Sequence, residues 1–511
     1  MPFYPTLAGM HACVSDRALQ IDRHDNVGVA LRDLRPGEEA GGVRLGQPVP
    51  AGHKFALRPI AAGEPVRKFG NVIGVASAAI APGAHVHSHN LRGSLEARIE
   101  ELSFSPAAPA AAIQSTDTFE GYRRPGGRVG IRNEIWIINT VGCINHAADR
   151  IARLAHAELS GGRSGIDGVY AFHHPFGCSQ LGDDLRHTQA ILSALVNHPN
   201  AAAVLVIGLG CENNQLADFL QSVGPQPAGR LRSFNAQEVP DEIAAGLAAV
   251  RQLADYAKIF RRESVPASEL ILGMKCGGSD GFSGITANPV VGEVADRAVA
   301  QGATVLLTEV PEMFGAERVL LERAGDQAAF EGLVTMVNGF RDYFRRYDEP
   351  IDENPSPGNK AGGITTLAEK SLGCVQKGGK APVRQVLPYG GMAAPRLGGL
   401  SLINAPGNDG VSGTAMAAAG AHLVLFTTGR GNPMGFPCPT LKISSNNDLA
   451  QRKPQWIDFN AGTLADGVTT RAELSEQLWQ QVLDIASGRA STHNEIRGFR
   501  EIAIWKDGVT L

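Results

Sequence analysis

Ala203-Val-Leu-Val-Ile-Gly-Leu-Gly-Cys211-Glu-Asn-Asn214 is the stretch on which the fold turns. It is a near-continuous apolar run closed by a Gly/Cys turn, with a helical stretch beyond. Strands buried on both faces of a parallel sheet read this way, because neither face calls for polar residues. Ile135-Trp-Ile-Ile-Asn-Thr-Val141 and Val169-Tyr-Ala-Phe172 repeat the texture upstream. A second set comprises Leu270-Ile-Leu-Gly273, Ala303-Thr-Val-Leu-Leu-Thr-Glu-Val310, Gly399-Leu-Ser-Leu-Ile-Asn404 and His422-Leu-Val-Leu-Phe-Thr-Thr-Gly429. Residues 241–262 carry apolar positions at helical spacing and are expected to bridge the two sets. The pattern predicts an α/β protein with two regions of mainly parallel sheet, a central domain over 119–262 and a C-terminal domain over 263–511.

Before these regions the texture changes. Asp25-Asn-Val-Gly-Val-Ala-Leu31, His53-Lys-Phe-Ala-Leu57 and Asn71-Val-Ile-Gly-Val-Ala76 are brief runs punctuated by Pro-Gly and Ala-Gly turns, which predicts a small β-rich domain over 1–103. Residues 104–118, rich in Ala and Pro and without periodicity, read as a linker. Across 511 residues, 47 Lys+Arg stand against 51 Asp+Glu for a formal net charge of -4, and no basic stripe stands out. That balance argues against non-specific nucleic-acid binding, which needs clustered cations. With 43% hydrophobic residues the chain is not disordered. No run reaches the roughly 18 to 20 apolar residues of a membrane span, and the N-terminus lacks a secretory pattern. Seven scattered cysteines form no disulfide framework, so reduced thiols and a cytoplasmic setting are expected.

Four groups of residues could carry chemistry. The first is His85-Val-His87-Ser-His89-Asn90, where an extended strand would set three imidazoles on one face, a spacing that suits a transition metal or an anionic substrate. His24 is a weaker candidate in the same domain. The second is the strand-end cysteines Cys143, Cys178, Cys211, Cys276 and Cys374, which could converge at the carboxyl ends of the strands and hold iron, zinc or an iron–sulfur cluster. Each could equally be a small buried residue, and the absence of any CxxC removes a zinc ribbon. The third is a set of polar Gly-rich loops carrying Ser279, Asp280, Asn288, Asn359, Lys360 and Arg430. Arg is best shaped for a bidentate carboxylate, and Lys shifts its pKa readily when buried. Glu309, Glu312 and Glu317 end an apolar strand and could serve as acid, base or ligand, or open a helix. The expected assignment is Lys360, His87 and Glu312 as catalytic groups. Arg430, Asn359, Ser279, Asp280 and Asn288 are expected to bind substrate. The metal falls to His24, His85 and His87, with Cys178, Cys211 and Cys276 as the alternative ligand set.

The chain also resembles the altronate/galactarate dehydratase family. The resemblance is carried, in order along nearly the whole chain, by His53-Lys-Phe-Ala-Leu, His85-Val-His-Ser-His-Asn, Gly177-Cys-Ser-Gln-Leu-Gly-Asp-Asp, Gly208-Leu-Gly-Cys-Glu-Asn-Asn-Gln, Cys276-Gly-Gly-Ser-Asp-Gly, Glu309-Val-Pro-Glu-Met-Phe-Gly-Ala-Glu, Asn354-Pro-Ser-Pro-Gly-Asn-Lys-Ala-Gly-Gly and Phe426-Thr-Thr-Gly-Arg-Gly. Residues 1 to about 18 fall outside the pattern. The resemblance implies an N-terminal SAF-like β domain and dehydration of a six-carbon sugar acid, D-altronate to 2-dehydro-3-deoxy-D-gluconate plus water, in hexuronate catabolism. It implies Fe(II) or Mn(II) as activator, against the alternative of an iron–sulfur cluster. The triple histidine favours an aldonate over an aldarate such as galactarate. A homo-oligomer, a dimer, is expected, and a non-catalytic sugar-acid-binding protein is the alternative from another class.

Overall fold

The computed structural model describes residues 14–15, 17–95, 99, 103–105, 116–160 and 165–511. Most of the expected linker, and Cys13, lie outside them. The central domain is a four-stranded parallel sheet of β1 (Glu134–Asn139), β2 (Gly168–Ala171), β3 (Ala201–Gly208) and β4 (Leu231–Asn235), in the order β2-β1-β3-β4. Every residue of β1 and β3 is buried. The sheet splits its side chains between two cores. Ile135, Ile137, Leu205 and Ile207 face α1 (Asn145–Leu159) and α4 (Glu242–Ala257). Trp136, Ile138, Val204 and Val206 face α2 (Gly182–Val196) and α3 (Leu216–Val223). Each such side chain contributes about 1.5–3 kcal/mol on burial, so two apolar faces demand the unbroken apolar runs seen in the sequence.

The C-terminal sheet has seven parallel strands: β5 (Ile271–Cys276), β6 (Thr304–Leu307), β7 (Val383–Leu387), β8 (Gly399–Ile403), β9 (Leu423–Thr428), β10 (Thr440–Ser444) and β11 (Phe459–Asn460). Their spatial order is β7-β8-β6-β5-β9-β10-β11. The chain starts in the middle at β5, winds out through β6, then returns to the other side at β9. The helix Asp409–Ala418 packs against α2, so both α/β regions share one apolar core.

The bridge expected over 241–262 is not a helix throughout. Helix α4 ends at Ala257 and packs inside the central domain through Val250, Leu253 and Ala254. The connection is instead a β-ribbon, in which Thr118–Arg123 pairs antiparallel with Arg262–Pro266. The described residues up to 95 form a β-rich domain with antiparallel pairing, including a sheet in which Val27–Ala30, Lys54–Ala56 and His85–Val86 are neighbours. No helix among the described residues is long and apolar enough to cross a membrane.

Candidate active site

Ligands of open parallel sheets bind beyond the carboxyl ends of the strands, where the winding direction reverses. In the C-terminal sheet that point lies between β5 and β9, where Cys276 pairs with Thr427. The loops that follow are laced together: Gly277 N donates to Thr427 O (3.1 Å), and Gly429 N and Arg430 N both donate to Gly278 O (3.0 and 2.8 Å). Asp280 sits between them. Its carboxylate accepts from Ser283 N and Oγ (both 2.9 Å), Ser445 Oγ (2.8 Å) and Asn446 Nδ2 (2.9 Å). A side chain on Gly429 would collide with this carboxylate, so the loop needs glycine there.

The N-terminal domain docks over this edge. Gly281 N donates to Gly362 O (2.7 Å), and a methyl on Gly281 would strike the Gly52 carbonyl. The anchor is a buried ion cluster. Glu369 accepts from Lys54 Nζ and Lys68 Nζ at 2.9 Å each, and Lys54 also donates to Gly363 O (2.7 Å). Burial alone would raise the Glu369 carboxyl, but the two ammoniums outweigh it and hold the group well below the usual carboxylate range. The docking leaves a cleft of about 400 Å³ lined by Asp33, His53, Asp280, Arg430, Asn446 and Arg452, among others.

Three imidazoles meet beside the cleft, of which His53 lines it. The rings of His53, His85 and His87 lie with centroids 5.1–5.3 Å apart. The trio differs from the expected one, which assumed an extended 85–89. The strand stops at Val86 because Asn90 makes a turn, Oδ1 accepting from His87 N and Nδ2 donating to His85 O (both 2.9 Å). His89 therefore leaves the strand, and its ring stands 5.8 Å from that of His85. The third ring comes from the neighbouring strand, where the register Lys54↔Val86 sets His53 beside His87. His24 does not join: its side chain is 63% exposed and bonds Asp22 at 2.8 Å.

The trio offers donors of the kind a cation takes, with nitrogens that, among the described residues, do not all lie within 4.8 Å of one another. Burial, and for His85 also the neighbouring imidazoles, push all three pKa values down, His85 to about 3. Neutral imidazole is the ligating form. His87 Nε2 donates to Lys360 O (2.9 Å) and His53 Nε2 to Ala361 O (3.3 Å), which makes Nδ1 the acceptor nitrogen of each ring; His53 Nδ1 lies 3.0 Å from His85 Nε2 and His87 Nδ1 3.0 Å from Ser88 Oγ. A backbone carbonyl holding the far N–H is the usual support for a metal-binding histidine.

Beneath the cleft lies a second charge network, buried except at Asp409. Lys370 Nζ pairs with Glu312 (2.8 Å), Lys377 Nζ with Glu309 (3.3 Å), and Lys275 Nζ with Glu309 and with Asp409 (2.7 Å to the latter). Cys374 Sγ lies 3.1 Å and Cys276 Sγ 3.4 Å from Glu312, with the sulfurs 3.3 Å apart. Burial would raise Glu312, yet the Lys370, Lys275 and Lys377 ammoniums hold it ionised, far below its ordinary value. Glu309, at φ 68°, ψ 57°, keeps a left-handed backbone rare for a non-glycine residue, and burial raises its carboxyl. Cys276, Glu312 and Cys374 bring three ligand atoms within 4.8 Å of one another. The ammoniums already balance these carboxylates, so the cluster suits charge storage better than a dication.

The remaining expected residues divide. Asn359 is buried, with Nδ2 donating to Ser279 O (2.7 Å) and Oδ1 3.4 Å from Lys370 Nζ, so it links network to cleft. Ser279 Oγ is buried without a partner, and Ser279 and Asp280 line a crevice that also reaches Lys370 and Cys374. Lys360 contributes its carbonyl to His87, and its side chain is half-buried. Asn288 is buried in the same crevice, with Nδ2 donating to Gly373 O (2.9 Å) and Oδ1 accepting from Thr427 Oγ1 (2.7 Å). Glu317, half of an ion pair with Arg341, belongs to the neighbouring short helix. Cys178 and Cys211 cannot share a site with Cys276, since they are exposed on the central sheet while Cys276 is buried in the other. Sequence reasoning missed His53, Lys275, Glu369, Lys370 and Lys377.

The three regions have the make-up of sugar-acid dehydratases. The family models described as altronate/galactarate dehydratase SAF domain, D-galactarate dehydratase/altronate hydrolase second domain, and D-galactarate/altronate dehydratase C-terminal match residues 16–94, 121–258 and 267–510. The chain is 49% identical to altronate dehydratase of Escherichia coli (strain K12) and 45% identical to that of Bacillus subtilis (strain 168), each over 96% of this chain and 99% of the relative. It is 34% identical to galactarate dehydratase (L-threo-forming) of Escherichia coli (strain K12), over 94% of both. The chain belongs to the altronate/galactarate dehydratase family.

Proposed function

We propose that the chain is a metal-dependent hydro-lyase of the cytoplasm that converts D-altronate to 2-dehydro-3-deoxy-D-gluconate and water. The observation that carries the substrate is the higher identity, across nearly the whole length, to two altronate dehydratases than to a galactarate dehydratase. Water leaves as a proton from C2 and hydroxide from C3, and the resulting enol becomes the 2-keto acid. The C2 proton is weakly acidic, so negative charge on the carboxylate side must be offset as it grows. His53, His85 and His87 would hold the Fe(II) or Mn(II), which when bound would supply that compensation as a Lewis acid, worth several kcal/mol.

The chain's own groups supply the rest. Arg430, which lines the cleft together with His53, clamps the substrate carboxylate. The unpartnered Ser279 hydroxyl takes a substrate hydroxyl, and Asp280 holds the two switch-point loops rigid. Lys360, next to the cleft-lining Ala361, accepts the C2 proton. Glu312 acts through Lys370, keeping that ammonium against Asn359 and so positioning Ser279. The test is incubation of purified chain with Fe(II) or Mn(II) and D-altronate, galactarate or other aldonates, followed by a carbonyl-specific reagent. A 2-keto acid formed fastest from D-altronate is expected, and none from any aldonate refutes the reading.

A further inference from the structure

The central sheet has a reversal point of its own, between β1 and β3, because β2 lies on one side of β1 and β3-β4 on the other. Each of the first three loops at that edge carries one cysteine: Cys143 after β1, Cys178 after β2, Cys211 after β3. All three are exposed, whereas Cys276, Cys374 and Cys438 are buried. Free cysteine is ordinarily among the most buried residues. Packing therefore does not account for three exposed thiols on adjoining loops.

The loops are in direct contact and rigidly held. Gly142 N donates to Phe176 O (2.8 Å) and Asn214 N to Gly177 O (2.9 Å), which joins the Cys143 loop to the Cys178 loop and that to the Cys211 loop. Ser179 N donates to Asn213 Oδ1 (2.7 Å). Behind them, buried side chains hold the loop backbone. Asn214 Nδ2 reaches Thr140 O (3.0 Å), His174 Nε2 reaches Asn139 O (2.8 Å), and Gln180 Oε1 accepts from Gly177 N (2.9 Å). Glu212 accepts from Leu209 N (3.0 Å) and Gly210 N (2.7 Å), fixing the turn that presents Cys211. A supporting layer of this kind is what a ligand site needs for its donors to stay in place.

We propose that this edge of the central domain binds a [4Fe–4S] cluster through the Cys143, Cys178 and Cys211 thiolates, each thiol releasing its proton on ligation. Soft thiolates select iron–sulfur clusters or single thiophilic ions. Among the described residues, these three sulfurs do not all fall within 4.8 Å of one another, and a cluster bridges more space between its ligands than one ion does. Three cysteines leave one iron without a protein thiolate, open to a small oxygen ligand. The site stands apart from the histidine trio and does not rest on it.

The test is anaerobic reconstitution of the full chain with Fe(II) and sulfide, followed by desalting. Expected are an absorption band near about 400 nm with about four iron and four acid-labile sulfide per chain. Both should fall at least about fivefold in Cys143→Ser, Cys178→Ser and Cys211→Ser, with unchanged circular dichroism, and persist in Cys438→Ala and His85→Ala. A colourless wild-type product, one zinc or iron per chain without sulfide, or full sulfide in the triple serine variant would each overturn the proposal.

Discussion

Replacing Glu369 by Gln tests how the N-terminal domain is held over the cleft. Glu369 is 2% exposed and is the shared counter-ion of Lys54 and Lys68, which are 0% and 2% exposed. It also accepts from Thr365 N and Oγ1 at 2.9 and 2.8 Å. Glutamine keeps the shape and one acceptor oxygen, but turns an N–H toward the second ammonium. Breaking a buried pair from one side costs about 3–5 kcal/mol, or roughly a hundred- to several-thousand-fold in the equilibrium constant. Denaturant unfolding followed by circular dichroism, with limited proteolysis of the folded chain and mass analysis of the fragments, should show the N-terminal domain released first. The pH dependence supplies a second reading. The folded-state carboxyl is held below its ordinary value of 4.5, so under pH 4.5 the unfolded chain binds a proton that the folded one refuses. Stability is then lost as pH falls through and below 4.5, and this slope shrinks in Glu369→Gln. An unfolding midpoint within about 0.5 kcal/mol of wild type, with the acid slope intact, would refute the reasoning.

Other substitutions separate the remaining roles. His85→Ala should lose bound Fe(II) by metal analysis and turnover by about 10²-fold or more, while His24→Ala, on its exposed Asp22 pair, changes neither. Arg430→Ala removes a charge-assisted bond worth about 1.5–3 kcal/mol, which should appear as a roughly 10- to 100-fold rise in KM for the sugar acid; an unchanged KM removes Arg430 from carboxylate binding. Lys360→Met keeps the carbonyl that holds His87 but deletes the amine, so kcat should drop about 10²–10⁴-fold with metal content unaltered. Gly281→Ala drives a methyl against the Gly52 carbonyl, and steady-state assays should show lost dehydration in a protein whose circular dichroism is normal.

The strands were legible because a sheet covered on both faces leaves no polar alternation, as in Ile135-Trp-Ile-Ile and Ala203-Val-Leu-Val. His85 and His87 were legible from their spacing. His53 was not, because cross-strand register brings it in from 32 positions away, and spacing reports only neighbours within one strand. His89 misled because Asn90, a residue that bonds its own backbone, ends the strand early. The cysteines could be placed at strand ends, but nothing local distinguishes the edge of one sheet from that of another. The lysines of the buried network were hidden for a similar reason. Lys275 reads as the polar end of a strand until Glu309 and Asp409 close on it.

The ion cluster at Glu369 also sets a timetable for synthesis. Lys54 precedes its partner by 315 residues and Lys68 by 301. At about 5–20 residues per second, the β-rich domain leaves the ribosome roughly 15 to 60 s before its counter-ion is made. During that interval two lysines meant for a dry interface face water, and His53 has no Ala361 carbonyl to lean on. The nascent chain therefore carries an unfinished cleft that no early folding of its first hundred residues can complete.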